Sequence, residues 1–345
     1  MEQLLTKNPM LRSFSYKSVN DYRTALINDA AKFNIATGFI TSDALVELRR
    51  IVEVRKGELA INLFVGMNYL NGFTKLQYAT LQDLNSFLNE NQYGKVYVSP
   101  NALFHGKMYS FLDTNNNCLG SFVGSSNLSS FLSTTQNYIE SDIYMDGVDA
   151  MTVDDRILNV IQNIGVDFSV AEPIVDFLED ETDLLKGNER VTKISDDEFN
   201  SFMTTLTNRV VEIPLKTEPK SNLNTYFGAG KTPGRYSPRS WYEVEVIVPK
   251  NTPNVELLPD KNSGPFKVIT PKHYLFYCER QGTNSKNLRS LGDLRVLGKW
   301  IKGEMENAGA IRCGQMVTQQ TLNDFGKSKI VFRESSEGPW FVTLE

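Results

Sequence analysis

Three short groups of residues could do chemistry together: His105-Gly106-Lys107, then Gly124-Ser125-Ser126-Asn127, then Glu140. In an extended segment residues two apart point the same way, so His105 and Lys107 present an imidazole and an ammonium on one face. That pair suits a phosphodiester. The imidazole can attack phosphorus or protonate a leaving oxygen near neutral pH, and the lysine balances phosphoryl charge. Gly-Ser-Ser-Asn lets backbone amides, hydroxyls and a side-chain amide approach non-bridging oxygens. A carboxylate such as Glu140, with Asp142 as the alternative, can hold the far imidazole nitrogen and fix its tautomer. H-x-K alone occurs by chance in many chains. The three elements in this order, within one β-rich region, are far more specific.

The elements that must position these groups alternate. Phe33–Ile40 reads as a strand, Ala44–Glu53 as a helix by its i, i+3, i+4 apolar spacing, Leu59–Val65 as a buried strand and Leu76–Asn89 as a helix. Short β-rich runs follow at Lys95–Val98, Lys107–Leu112, Ser121–Val123 and Ile139–Met145. The spacing predicts a mixed-sheet α/β domain over 1–166. An acidic, helical linker is expected over 167–213. From 214 to 345, short strands separated by Gly, Pro and Asn turns predict a mainly β, barrel-like module with a helix at Leu294–Met305.

Composition narrows the classes. The 345 residues, 41% hydrophobic and 22% charged, suffice for two domains with real cores. The three cysteines are scattered, which argues against a disulfide framework, and two histidines offer no zinc spacing. No apolar run approaches the ~20 residues of a membrane span, and the first residues lack a signal-peptide layout, so the expected address is the cytoplasm. The net charge of −5 is unevenly spread: −3 over 1–166, −8 over 167–213 and +6 over 214–345. A basic module behind an acidic stretch fits a polyanion-binding domain with an anionic linker, and equally two solvated surfaces.

H-x-K followed by G-S-x-N resembles the signature of the phospholipase D superfamily. The resemblance implies a metal-free reaction with His105 as nucleophile or general acid, Lys107 and Asn127 on the phosphate, Glu140 orienting His105, and Ser125 as a further phosphate ligand. The family's Asp usually lies five positions after the Lys, where this chain has Leu112, with Asp113 next to it. The family reaction needs two histidines, and the chain carries one motif, His273 being in another context. A two-fold homodimer placing two copies of His105 around one site is the simplest solution.

The later segment, Ser221–Val248 with Lys272–Trp300 and the closing strands, resembles the DNA-binding pseudobarrel that bacterial restriction enzymes share with plant transcription factors. The two resemblances meet in the restriction endonucleases of the BfiI and NgoFVII kind. They imply a type II enzyme cutting double-stranded DNA, with two arms in the major groove. The first arm would offer Lys231, Arg235, Tyr236 and Arg239, and the second Asn284, Lys286, Asn287 and Arg289. Gly228-Ala-Gly-Lys231-Thr232 looks like the end of a phosphate loop, but Thr225 stands where its first Gly belongs, and Pro233 and Gly234 oppose the helix that loop needs. ATP is therefore expected only through a separate ATPase subunit, a dependence that stays open. Two alternatives stay open with it, a phospholipid hydrolase or transferase and a catalytically silent DNA-binding protein. The carboxylates of 172–198 fit either a plain solvated linker helix or a DNA mimic that lies across the catalytic face and restrains cutting.

Overall fold

The structure, a computed structural model, describes residues 1–5, 17–133, 139–180, 182–228 and 232–345. It divides into two units, Met1–Asp180 with Gly230–Pro238, and Glu181–Ala229 with Arg239–Glu345.

The first unit is built on one mixed sheet. Its elements are β1 (Glu2–Leu5), α1 (Val19–Asp29), β2 (Lys32–Thr37), α2 (Ser42–Val54), β3 (Ala60–Val65), α3 (Asn68–Asn71), α4 (Lys75–Asn91), β4 (Gly94–Val98), β5 (Met108–Leu112), β6 (Cys118–Gly124), α5 (Leu128–Leu132), β7 (Ser141–Met145), α6 (Gly147–Ile164) and β8 (Val166–Asp167). The strand order is β1-β7-β6-β5-β2-β3-β4-β8, with β2, β3 and β4 parallel and the other pairings antiparallel.

Strand alternation assigns the two faces. Phe33, Ile35, Ile61, Leu63, Tyr109 and Phe111 pack with Ile27 of α1, Leu45 and Leu48 of α2, Leu81 and Leu84 of α4 and Phe131 of α5. Ala36 and Phe64 face the other way, onto Val153 and Ile157 of α6. Helix α4 starts where Thr74 and Gln77 form a capping box, and α1 where Ser18 and Asp21 do the same. The α2, β3, α4 and β4 expectations hold to within two residues at each end. Helix α6, which the sequence reading left without an element, supplies the whole second layer.

The second unit contains β9 (Thr192–Lys193), α7 (Asp196–Thr204), β10 (Leu206–Pro214), β11 (Val246–Ile247), β12 (Phe266–Ile269), β13 (Tyr274–Gln281), β14 (Asn287–Ser290), α8 (Arg295–Asn307), α9 (Gln319–Phe325), β15 (Lys329–Ser335) and β16 (Trp340–Leu344). Its sheet runs β10-β15-β16-β12-β13-β14-β11, with β9 added on β13. The two ends, β10 and β11, stay apart, so the curled sheet is a half-barrel. Helix α8 packs Val296, Leu297, Trp300, Ile301 and Met305 inward.

One expectation is corrected here. The acidic stretch is not a helical linker: among its described residues only α7 is helical, and 206–214 is already a strand of the half-barrel. Pro173 removes a backbone donor, and carboxylates at Glu172, Asp176, Glu179, Asp180 and Asp183 would repel along a helix. Residues 172–180 instead run without helix as part of the first unit. The Leu178 amide donates to the Phe73 carbonyl at 2.8 Å, Tyr69 Oη donates to the Glu172 carbonyl at 2.6 Å, and Asp180 accepts from the Leu76 amide at 3.2 Å. That last contact places a carboxylate at the amino end of α4, where the helix dipole favours it. Glu181, from the same acidic run, lies outside the described residues.

Candidate functional site

The loop carrying His105 enters β5 beside the carboxyl ends of β2 and β3. The Phe104 amide donates to the Gly66 carbonyl at 3.1 Å, just past β3, and the His105 ring meets the Phe39 ring edge-on at 5.8 Å, just past β2. Gly38 makes this approach feasible: a Cβ there would stand 3.2 Å from His105 Cδ2 and 3.3 Å from Met67 Cγ. His105 is exposed, while Lys107 is 7% exposed.

Lys107 Nζ lies 3.2 Å from His105 Nδ1 and 3.1 Å from Nε2, and donates to the His105 carbonyl at 2.6 Å. Near-equal distances to both ring nitrogens put the ammonium over the ring rather than in line with one lone pair. The shared face expected from H-x-K is therefore present. Burial pushes the Lys107 ammonium below the ordinary lysine range, and the charge of Glu140 pulls it back up.

The Gly-Ser-Ser-Asn turn leaves β6 and enters α5. Its anchor is Asp142, 2% exposed, which accepts from the Ser126 amide at 3.2 Å and from Ser126 Oγ at 2.5 Å. The turn is held further by Tyr109 Oη, which donates to the Ser126 carbonyl at 2.7 Å. Gly124 is obligatory, because a Cβ would fall 2.2 Å from Asp142 Oδ1 and 2.5 Å from the Ser141 carbonyl oxygen. Asn127 stands at the N-cap of α5, and its Oδ1 accepts from the Phe39 amide at 3.3 Å, beside the aromatic edge that touches His105.

Glu140 accepts from Ser125 Oγ and, at 3.2 Å, from Ser130 Oγ. The Ser141 amide donates to Ser125 Oγ at 3.0 Å, so serine and carboxylate are locked together. Asp142 is spoken for by the turn, with its carboxyl raised by burial. Leu112 is buried, and Asp113 closes a surface turn by accepting from the amides of Asn115 and Asn117 at 2.8 Å. Neither supplies an acid to the site.

Two features escaped the sequence reading. Phe39 braces both His105 and Asn127, and nothing in its local pattern marks it. Asp154 of α6, 3% exposed, accepts from Asn34 Nδ2 at 2.8 Å and from Ser110 Oγ, fastening α6 beneath β2 and β5. A lone aspartate on a helix gave no signal in the sequence; Asn34, its partner, also accepts from Asn62 Nδ2 at 2.9 Å. Among the described residues no group of three His, Cys, Asp or Glu side chains is arranged to hold a metal. No helix among them is long and apolar enough to cross a membrane.

The residues expected in the two DNA arms are placed differently from one another. Lys231 lies outside the described residues. Tyr236 belongs to the first unit and is 2% exposed; its hydroxyl donates to Glu47 at 2.6 Å, its amide donates to Asn28 Oδ1 at 2.7 Å, and the Arg50 guanidinium lies 5.2 Å from its ring centre. So satisfied a phenol is not presented to a base. Arg235, in the same segment, lies 3.7 Å from Asp29 on the surface. In the second unit Arg239 pairs with Glu243 at 3.2 Å and donates to the Thr225 carbonyl at 3.1 Å. Asn284 and Lys286 are exposed in the turn between β13 and β14, and Asn287 and Arg289 lie half-buried on β14. Arg280, by contrast, is buried and ties the turn down, donating to the carbonyls of Ser285, Val255 and Leu258 at 2.9–3.1 Å.

Comparison with known proteins bears on both units. Residues 17–170 match the model of the NgoFVII restriction endonuclease N-terminal PLD domain, and residues 201–336 match that of the NgoFVII C-terminal B3-like DNA-binding domain. No curated protein matches the chain. Solved structures with partial likeness include TrmBL2, an archaeal chromatin protein, at 11% identity over 48% of this chain and 53% of that one, with a TM-score of 0.28. Polyphosphate kinase from Porphyromonas gingivalis has the same identity, share of this chain and TM-score, over 24% of its own length. Nuc from Salmonella typhimurium, a phospholipase D family member, is 14% identical over 48% of this chain and 97% of its own, with a TM-score of 0.31. The chain thus spans about half the length of the first and a quarter of the second. With a phospholipase D-like unit followed by a B3-like half-barrel, and with the two models together matching most of its length, the chain belongs to the NgoFVII restriction endonuclease family.

Proposed function

We propose that the protein is a type II restriction endonuclease that hydrolyses double-stranded DNA at or near a specific sequence, without a metal and through a phosphohistidine formed between two copies of the chain. The observation that carries the chemistry is the exposed His105 ring with the buried Lys107 ammonium over it. A ring nitrogen of one His105 attacks phosphorus, forming a P–N bond as the P–O bond to the leaving strand breaks. The second copy's His105 gives that oxygen its proton. Water then attacks the phosphohistidine, loses its proton to the second imidazole and frees the first. Lys107 and Asn127 carry the charge that builds on the non-bridging oxygens, with Ser125 beside them. Glu140 fixes Ser125, keeps Lys107 protonated and orients His105.

Incubating the protein with long, unmethylated DNA of known sequence in excess EDTA tests this reading. Discrete fragments are expected, absent with His105→Ala while DNA binding persists. Fragments that still form with His105→Ala, or that need an added divalent metal, would overturn it.

A further inference from the structure

We infer that a three-residue brace on the outer face of the β13–β14 ribbon, Gln281–Glu279–Arg289, aims Arg289 at a guanine, so that the recognition sequence contains a G·C pair read by this one guanidinium. The inference rests on the reading of the second unit as the DNA-binding domain.

Strands β13 and β14 pair antiparallel, with Glu279 opposite Arg289 and Gln281 opposite Asn287. Alternation sends Cys278, Arg280, Leu288 and Ser290 inward and leaves Glu279, Gln281, Asn287 and Arg289 on the outer face. Arg289 Nε donates to Glu279 Oε1 at 2.9 Å, and Gln281 Nε2 donates to the same carboxylate, at Oε2, at 3.0 Å. Both carboxylate oxygens are thus engaged, and the glutamate cannot swing away from the arginine. The Glu279 side chain is 14% exposed and that of Arg289 is 32% exposed, so the brace is sheltered while the guanidinium reaches solvent.

The geometry matters because of which nitrogen is used. Holding a guanidinium through Nε leaves its Nη1/Nη2 edge, two parallel donors, pointing away from the brace. Among the described residues no hydrogen bond occupies that edge. Two parallel donors match O6 and N7 of guanine in the major groove, and bracing reduces the rotamer freedom lost on binding. The turn joining the two strands lies beside this edge and exposes Asn284 and Lys286, further donors for bases and phosphates. On the neighbouring strand Lys267 stands opposite Tyr277, its ammonium 5.9 Å from the ring centre, which extends the polar face toward a phosphate rather than toward an apolar partner.

Selection from a pool of randomised duplexes with the full chain decides the matter, alongside melting curves to show that each variant folds. The wild type should enrich a motif with an invariant G·C pair. Arg289→Lys keeps the charge and loses the fork, so preference at that pair should fall by roughly tenfold or more while the other positions hold. Glu279→Ala should blur the same pair, and Glu279→Gln, which still accepts from Nε, should restore it. A complete motif in both Arg289→Lys and Glu279→Ala overturns the inference and leaves the DNA reading standing. So does a motif lost evenly at every position. A wild type that enriches no motif overturns the DNA-binding reading and this inference with it.

Discussion

Burial and one neighbouring carboxylate act on Lys107 in opposite directions. Burial lowers the Lys107 pKa, and the Glu140 carboxylate raises it, so the ammonium survives on a balance. In the proposed mechanism Lys107 holds phosphate as an ammonium, so activity should fall on the alkaline side below the pH at which an ordinary lysine titrates. Glu140→Gln removes the raising charge, and the alkaline limb of the kcat/KM profile should then move to lower pH. A limb that stays in place would separate Glu140 from Lys107. The pairing of Glu140 with Ser125 and Ser130 was not legible in the sequence, where the carboxylate was taken up only as a partner for His105. Its neighbours come from the Gly-Ser-Ser-Asn turn and α5, and no spacing rule brings them to it.

At the scale of elements, the buried polar groups decide how each unit tolerates pH. Lys302 of α8 is fully buried, donates to the Trp241 carbonyl and lies 4.2 Å from the Trp241 ring centre. Burial brings its pKa down to about 7. Below that pH the folded and unfolded chains both hold the proton, and the folded state bears the full cost of burying a charge. Between about 7 and the ordinary lysine value only the unfolded chain holds it, so stability rises with pH across that window. Relative to Lys302→Met, the wild type should therefore gain roughly 2–3 kcal/mol in denaturant unfolding between pH 6 and pH 9. A constant difference would show that the ammonium is paid no such cost. The strands and helices themselves were mostly legible, because α2, α4 and α8 carry apolar stripes and β3 and β12 are short apolar runs. Helix α6 was missed although Ala150, Val153 and Ile157 carry helical spacing, and the acidic run was misread because a local pattern cannot show that Leu178 is fastened to Phe73.

On the scale of the whole molecule, one motif per chain is the constraint. If each site uses His105 from two copies, a chain lacking the imidazole spoils the wild-type chain that joins it. Wild-type protein remixed with a threefold excess of His105→Ala, under conditions that exchange subunits, should retain about a quarter of its cleavage activity per wild-type chain. Undiminished activity would mean that one His105 suffices. The acidic stretch belongs to this scale too. Its residues 172–180 are fastened to α3 and the start of α4, elements that leave the same edge of the sheet as the His105 loop. Neutralising Glu179 and Asp180 should raise cutting of non-cognate DNA, and unchanged off-target cleavage would end the idea of a restraint.

What the sequence by itself determined is the local chemistry and its order. H-x-K needs only an extended backbone to share a face, so it was readable from neighbours along the chain, whereas the need for glycine at 124 comes from Asp142 and Ser141 on the paired strand. The charge divide and the Gly/Pro/Asn-punctuated strands likewise announced a basic β module after an α/β one. Only the tertiary structure decided which polar groups meet. Asp142 was free to serve His105 until the pairing of β6 with β7 fixed it on Ser126. Tyr236 looked like a groove-reading side chain until Glu47, 189 residues away, took its hydroxyl. Glu279 and Arg289 became a pair because the β13–β14 register sets them opposite one another. Each of these depends on a strand register or a tertiary contact, and a hydrogen bond so placed is stabilised by the fold that closes it, not by the residues beside it.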